Sequence, residues 1–414
     1  MDFSLEYTEE QEEFAKEVRQ WLNENVPKDW VRVRDPDKRS DEQWQRAREL
    51  GRKLAEKGWL APGMPRKYGG GELDVDHQFV LSQEFEEAKI GFPPYYDSGL
   101  SLACNAIMVC GTEEQKERHL PLICKGEVVT HELFTEPEVG TDEASQQATA
   151  LRHEREGEYF IINGQKIFVG STYVPADRYL LLTKSDLEAP RHGNLAMFFA
   201  PSDLPGITSQ PLDLFTRGEF GMISGPTTDG SHGRKNTVFF DDVRIHEDYL
   251  IGEDHDGWKV SEATLNVEHG GGGVARPPHE NFLIKTFLSY CKSNPNVVKR
   301  LRENPQLLDS VVEVYIGTQI QRLWATRNFW AAATRTRAPG AGNQLGMYSK
   351  YFAGRAAFHM ARVLGPYAFL SADDERCLEE GMFELGERGA CLLAPGGTPE
   401  AGKIILSRAL RIGR

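Results

Sequence analysis

The apolar residues of this chain change their spacing twice, and that change constrains the fold more than any other feature. Phe14, Val18, Trp21 and Leu22 recur at helical spacing. Between about residues 129 and 246 the pattern shifts to short β-rich runs. These are Tyr159-Phe160-Ile161-Ile162, Ile167-Phe168-Val169, Tyr179-Leu180-Leu181-Leu182, Met197-Phe198-Phe199 and Thr237-Val238-Phe239-Phe240, bounded by Gly, Asn, Asp and Pro. After Trp258 helical spacing returns, with long runs over Tyr315–Arg337, Tyr348–Leu364 and Asp374–Arg388. The expectation is an α+β chain: an N-terminal helical domain (1–128), a central β-barrel or sandwich domain (129–246) and a C-terminal four-helix-bundle domain (247–414).

Local signals set the helix boundaries. Thr8-Glu9-Glu10-Gln11 and Thr112-Glu113-Glu114-Gln115 are capping boxes, in which a side-chain oxygen and a side-chain amide each satisfy a backbone N–H at a helix start. The spacing also predicts helices over Asp41–Lys57, stopping near Gly58, and over Asp76–Ala88. Asn163-Gly164 between two β-rich runs reads as hairpin-turn chemistry.

Composition excludes several functions. A formal charge of −14 leaves no basic surplus for neutralising nucleic-acid phosphates. No run of eighteen apolar residues is present, so no membrane span is expected. The six cysteines show neither a CxxC pair nor zinc spacing and read as reduced thiols. The first residues are acidic and lack an apolar leader, which reads as a cytoplasmic protein.

Two motifs carry the chemistry: Phe134-Thr135-Glu136-Pro137-Glu138-Val139-Gly140-Thr141-Asp142 and Asn163-Gly164-Gln165-Lys166-Ile167-Phe168-Val169-Gly170. Either alone is an ordinary connector. In order and at this spacing they resemble the flavin-contacting signature of the acyl-CoA dehydrogenase family. Further matches run along nearly the whole chain. They include Trp59–Pro65 with Tyr68-Gly69-Gly70, Gly111–Lys116, Phe239–Ile245 with Gly257-Trp258, and Gly396-Gly397-Thr398-Pro399-Glu400.

The resemblance implies FAD as cofactor and an acyl-CoA thioester as substrate. In such enzymes a base takes the α-proton while the β-hydride passes to flavin N5, so the ring must be held in a fixed plane. Phe134 and Thr135 would then meet the pyrimidine side of the flavin. Gly140 would allow close backbone approach, and Thr141 would help bind flavin or a CoA phosphate. Phe168 would pack on the ring where the family usually has Trp. Gly170 stands where a Thr or Ser usually bonds N5, leaving only backbone there. Thr398 and Glu400 would touch the cofactor from the C-terminal loop.

The usual base, a Glu before Gly-Thr in that loop, is here Gly396. Thr264-Leu265-Asn266-Val267-Glu268-His269 matches the alternative base position, which makes Glu268 the candidate. A carboxylate desolvated between flavin and thioester suits general-base work near neutral pH. Gly270–Gly273 follows; its His-Gly-Gly-Gly also occurs in lipase-like hydrolases, but no Gly-x-Ser-x-Gly elbow accompanies it.

Two cofactor segments of the family are altered. No Arg-x-x-Phe-Gly occurs between Arg276 and Leu307. The Gln-x-x-Gly-Gly-x-Gly stretch is replaced by Arg362–Ala368, in which Arg362 could pair with a phosphate. Such departures resemble the bacterial branch whose unlike subunits act together on steroid-type or other bulky CoA esters. The resemblance thus implies a homo-oligomer or a heteromer with a sibling subunit, and an electron-transfer flavoprotein as acceptor. Two other readings stay open: a non-catalytic subunit, and a flavin oxidase or monooxygenase on the same scaffold.

Overall fold

The computed structural model describes residues 7–30, 40–88, 90, 94–95, 97–152, 156–170, 175–215, 234–268, 281–334, 336, 338–391 and 398–412. The expected α, β, α order is the order found. Among the described residues five helices come first: α1 (Glu9–Asn25), α2 (Asp41–Glu56), α3 (Val75–Glu87), α4 (Cys104–Cys110) and α5 (Glu113–Cys124). Both predicted capping boxes form: Thr8 and Thr112 accept from the backbone of Gln11 and Gln115, whose side chains accept in return. Gly58 and Gly126, with φ of 73° and 67°, end α2 and α5 in the left-handed region where a side chain is strained.

The described residues then give seven strands: β1 (Thr130–Leu133), β2 (Thr149–Arg152), β3 (Tyr159–Val169), β4 (Arg178–Lys184), β5 (Leu195–Pro201), β6 (Ile207–Asp213) and β7 (Arg234–His246). Among the described residues they join one mixed sheet, ordered β1-β4-β2-β3-β7-β6 with β5 also on β4, curled so that Phe160 of β3 packs on Phe198 of β5, in line with the barrel or sandwich expected. Asn163-Gly164 is no hairpin turn. β3 runs straight through it, and the extra residue sits across the ladder on β7, where Asp242 takes φ of 48°. Asn163 and Asp242 bond each other there at 2.9 and 3.0 Å. Gly164 is needed for close approach, because a Cβ would lie 2.7 Å from Cα of Ala148 on the incoming chain.

The two faces of this sheet bury different partners. Leu180, Leu182, Met197 and Phe199 pack with Ala103, Ile107, Leu120 and Ile123 of the N-terminal helices. Leu181, Phe198, Phe160 and Val243 form a second core on the other face, with Phe160 edge-on to Phe198 at 5.0 Å. The strict alternation of β4 and β5 between these cores explains why nearly every residue of both strands is apolar and buried.

Among the described residues the C-terminal part has seven helices: α6 (Gly257–Glu268), α7 (Phe282–Ser293), α8 (Pro295–Glu303), α9 (Pro305–Ala333), α10 (Ala341–Leu364), α11 (Met382–Ala390) and α12 (Pro399–Leu410). Four of them, α7, α9, α10 and α11, share one core with two residues of α8. The helix expected over Asp374–Arg388 starts only at Met382. Glu379, Glu380 and Gly381 take φ of 50°, 57° and 78°, and Asp374 is spent on a turn with Arg376. No helix among the described residues is long and apolar enough to cross a membrane.

Candidate flavin site

The two motifs meet at one end of the sheet. β1 feeds into Phe134-Thr135-Glu136, and the Ile167 N–H on β3 donates to the Thr135 carbonyl at 2.9 Å. The turn after Glu136 closes on itself through Glu136 N–H to Val139 O and Val139 N–H to Glu136 O, at 2.8 and 3.1 Å.

The junction is locked by a group that sequence reasoning passed over. Lys166 is fully buried, and its Nζ donates to the Phe134 carbonyl at 3.2 Å, to Glu136 Oε1 at 2.7 Å and to Gln146 Oε1. Glu136 in turn accepts from the backbone N–H groups of Gln147 and Ala148 at 2.6 and 3.0 Å. Burial pulls the Lys166 ammonium down to about 8, against the upward pull of Glu136. Such a pair survives desolvation only when its remaining donors and acceptors are met, as they are here. The signal in the sequence was a lysine at an inward-facing strand position, four residues after the buried Ile162.

Around this lock the predicted residues divide. The Phe134 ring is buried in the core against the N-terminal helices, and its carbonyl is taken by Lys166. Thr135 is half-buried, and Gly140 and Thr141 are exposed. Phe168 is 51 % exposed with φ of 60°. A bulge puts it there: Ile167 and Phe168 together oppose Thr237 alone, which turns the ring out of the ladder. An exposed aromatic in a strained backbone is held at a cost that packing within the chain does not repay. Gly140 tells the same story, because a Cβ there would meet nothing within 4 Å and its φ is not left-handed. Among the described residues nothing requires glycine at 140. Both features fit an occupant that comes from outside the polypeptide.

Gly170 is different. It is buried with φ of 41°, and a Cβ on it would lie 2.1 Å from Nδ1 of His131 on β1. The imidazole already fills that space.

Helix α6 is fastened to the same end of the molecule. Ser261 Oγ donates to Glu143 Oε2 at 3.1 Å, just beyond the first motif, and Asn105 Nδ2 on α4 donates to the Ala263 carbonyl at 2.8 Å. Gly257 lies so close to the Leu195–Ala196 backbone that a Cβ would come within 2.5 Å. The loop between β4 and β5 folds over both, with Arg191 paired to Asp142 and His192 stacked on Trp258 at 4.3 Å. Glu268 is the last residue of α6; its side chain, His269, Gly270–Gly273, Arg276 and Gly396-Gly397 lie outside the described residues.

The C-terminal candidates do not converge on this site. Thr398 caps α12 by accepting from the Ala401 N–H at 3.2 Å, and Glu400 faces solvent with Lys403 3.8 Å away. α12 meets α10 near Met347 and Tyr351. Arg362 lies eleven residues farther along α10, about 16 Å at the helical rise. It is exposed, over the Phe358 ring. Among the described residues no hydrogen bond, ion pair or ring contact links Arg362, Thr398 or Glu400 to the Phe134–Gly170 end.

Comparison with known proteins decides the family. Residues 8–127 match the N-terminal domain of acyl-CoA dehydrogenases and residues 132–222 match their middle domain. The chain belongs to the acyl-CoA dehydrogenase family. Members of this family are FAD-dependent oxidoreductases.

Among similar proteins, acyl-CoA dehydrogenase FadE29 of Mycobacterium tuberculosis is 29% identical over 268 residues, 64% of this chain and 62% of that protein. Acyl-CoA dehydrogenase IpdE1 of Mycolicibacterium smegmatis is 27% identical over 331 residues, 76% of this chain and 78% of that protein. The fold of the Tcur3481-Tcur3483 steroid ACAD superimposes with a TM-score of 0.77 at 24% identity, covering 100% of both chains.

Proposed function

We propose that this chain catalyses α,β-dehydrogenation of an acyl-CoA thioester with FAD bound at the Phe134–Gly170 end, and that Glu268 is the base for the α-proton. The observation that carries the reading is the fastening of α6. Ser261 ties it to the loop after the first motif, and Asn105 ties it to α4. The helix that ends in Glu268 therefore leaves the flavin end of the sheet in a fixed direction. Bound there, FAD would supply the acceptor for the hydride leaving Cβ. Phe168 would cover the ring, the Thr135 and Gly140 backbone would lie along its edge, and Glu268 would hold the α-proton away from water.

The substrate is proposed to be a bulky or ring-bearing CoA ester, in line with the steroid ACAD whose fold this chain shares. The protein is proposed to be an oligomer in the cytoplasm that passes electrons to an electron-transfer flavoprotein. The exposed face of α9 supports an oligomer: Leu308, Val312, Tyr315, Ile316, Ile320 and Leu323 form one apolar stripe. Arg362, Thr398 and Glu400, scattered over one chain, are then offered to a neighbouring subunit's cofactor. That neighbour is a second copy or an unlike sibling. A specific observation favours a second reading, a supporting subunit without its own turnover: Gly396 stands at the family's usual base position.

Anaerobic titration tests the base. With a panel of acyl-CoA esters, the native protein is expected to bleach its flavin, while Glu268→Gln keeps flavin and does not bleach. Normal bleaching by Glu268→Gln would remove Glu268 from the mechanism. Bleaching only by a non-CoA substrate would select the oxidase reading, and flavin that never bleaches would select the supporting-subunit reading.

A further inference from the structure

We propose that His192, on the loop between β4 and β5, is a positioning residue for the proton transfer: its ring, stacked on Trp258, sets the direction in which α6 presents Glu268. The inference rests on the assignment of Glu268 as base and of the flavin to the Phe134–Gly170 end. Three contacts close a circuit around the start of α6. Asp142 pairs with Arg191, the neighbouring His192 stacks on Trp258 at 4.3 Å with the planes 25° apart, and Ser261 Oγ donates to Glu143 Oε2 at 3.1 Å. Each loop contributes two adjacent residues, Asp142-Glu143 and Arg191-His192, one to the other loop and one to the helix. Trp258 and Ser261 are three residues apart on α6 and so share one face.

The loop holds His192 in a strained conformation. Pro190 to Gly193 is a turn closed by the Gly193 N–H, which donates to the Pro190 carbonyl at 2.9 Å. His192 is its third residue, with φ of 75°, a place that such turns prefer to give to glycine. Strain of this kind persists only where the surroundings over-determine it, and it clusters at working sites. Here the strained residue carries the ring that meets Trp258.

Stability does not account for this circuit. The Arg191 and Asp142 side chains are 55 % and 54 % exposed, and a pair so open to water contributes little. α6 is already attached to the body of the molecule by Val260, in the core against the N-terminal helices, and by the bond from Asn105 to Ala263. What the loop adds is aim. Trp258 stands ten residues before Glu268, about 15 Å along the helix, so a tilt set at Trp258 is carried to the end that holds Glu268. Misplacing a catalytic group by about 1 Å can slow a reaction about a hundredfold. The circuit also ties that aim to Asp142-Glu143, next to Thr141 of the first motif, on which the flavin is proposed to rest.

The test uses the full chain purified with its flavin, co-expressed with a sibling subunit where the chain alone holds none, as native protein, His192→Gly and His192→Phe. Glycine removes the ring and relieves the strained backbone, so the fold is kept; phenylalanine restores a stacking ring. The probe is the acyl-CoA ester that bleaches the native flavin fastest. The readouts are the limiting rate of bleaching, the ester concentration that gives half that rate, and thermal unfolding. His192→Gly is expected to bleach about tenfold to a hundredfold more slowly. Its half-saturation, bound flavin and thermal stability should match native protein, and His192→Phe should recover most of the rate. A native rate in His192→Gly, or a folded His192→Phe as slow as the glycine variant, would overturn the inference and leave the base assignment standing. Loss of flavin or of thermal stability in His192→Gly would make the loop a structural clamp and overturn the inference as well. A native protein that holds no flavin or bleaches with no acyl-CoA ester, or Glu268→Gln that bleaches normally, would remove the base assignment and this inference with it.

Discussion

The proposed flavin end of the sheet and the outer face of the C-terminal helices are built in opposite ways. At the first, the fully buried Lys166 ties three separate segments together inside one chain. At the second, Arg362, Thr398 and Glu400 are spread over two helices beside an exposed apolar stripe on α9. The first region is complete in the folded chain. The second has the look of a surface that expects company, because contiguous exposed apolar area is costly for a lone subunit. The contrast explains how one chain can keep the Phe134–Asp142 and Asn163–Gly170 motifs intact while its C-terminal segments drift from the family pattern.

The strongest way to break the comparison is to cut the lock. Lys166→Ala leaves the Glu136 carboxylate buried without its counter-charge, and breaking a buried pair from one side costs about 3–5 kcal/mol. Urea unfolding should show a loss of that size together with loss of bound flavin. A change below about 1 kcal/mol would mean that the lock is not what holds the motifs together.

A smaller effect sharpens the picture of the buried half. His119 on α5 is buried edge-on to Phe199 at 5.3 Å, and burial pushes its imidazole down to about 4 from an ordinary 6.5. The unfolded chain therefore takes up this proton first as pH falls. Stability from this residue is intact above pH 6.5 and drains away between 6.5 and about 4. At pH 5 the loss is about 2 kcal/mol. The buried Asp97 works the other way: burial raises it from 3.8 to about 6, so its contribution falls as pH rises through that window. Comparing His119→Phe with native protein isolates the histidine. The variant should be the more acid-stable by thermal unfolding at pH 5, with the advantage gone at pH 7.5. An equal advantage at both pH values would refute the titration.

The smallest effect on the subunit itself is expected at the α9 stripe. Ile316→Asp with Leu323→Asp places charges on residues already 46 % and 58 % exposed, so the isolated fold should change by within about 0.5 kcal/mol. Sedimentation should nevertheless show the assembly falling apart. An oligomer of unchanged size would move the interface elsewhere.

How much of this was legible in the sequence depends on the range of the forces involved. Helix starts were readable because a capping box lies within four residues, as at Thr8 and Thr112. The α, β, α order was readable because burial imposes a period on each element. The Asn163-Gly164 reading failed because Gly164 answers to Ala148, just before β2, not to a local turn. Asp374–Leu378 has helical spacing, but the left-handed Glu379–Gly381 that delays the helix gives little warning in composition. Phe168 and Gly140 were named as candidates from motif. The Lys166 lock was not legible, since it depends on Glu136 and Gln146, which only strand pairing brings near. Arg362, Thr398 and Glu400 were grouped by motif and are apart in the single chain.

The central claim is that this chain builds one half of its flavin site alone and takes the other half from a neighbouring subunit. The direct measurement is flavin bound per chain, by absorbance, in the native assembly and in subunits separated by Ile316→Asp with Leu323→Asp. The account predicts flavin in the assembly and its loss from separated subunits that remain folded. Separated subunits that hold as much flavin as the assembly would contradict it.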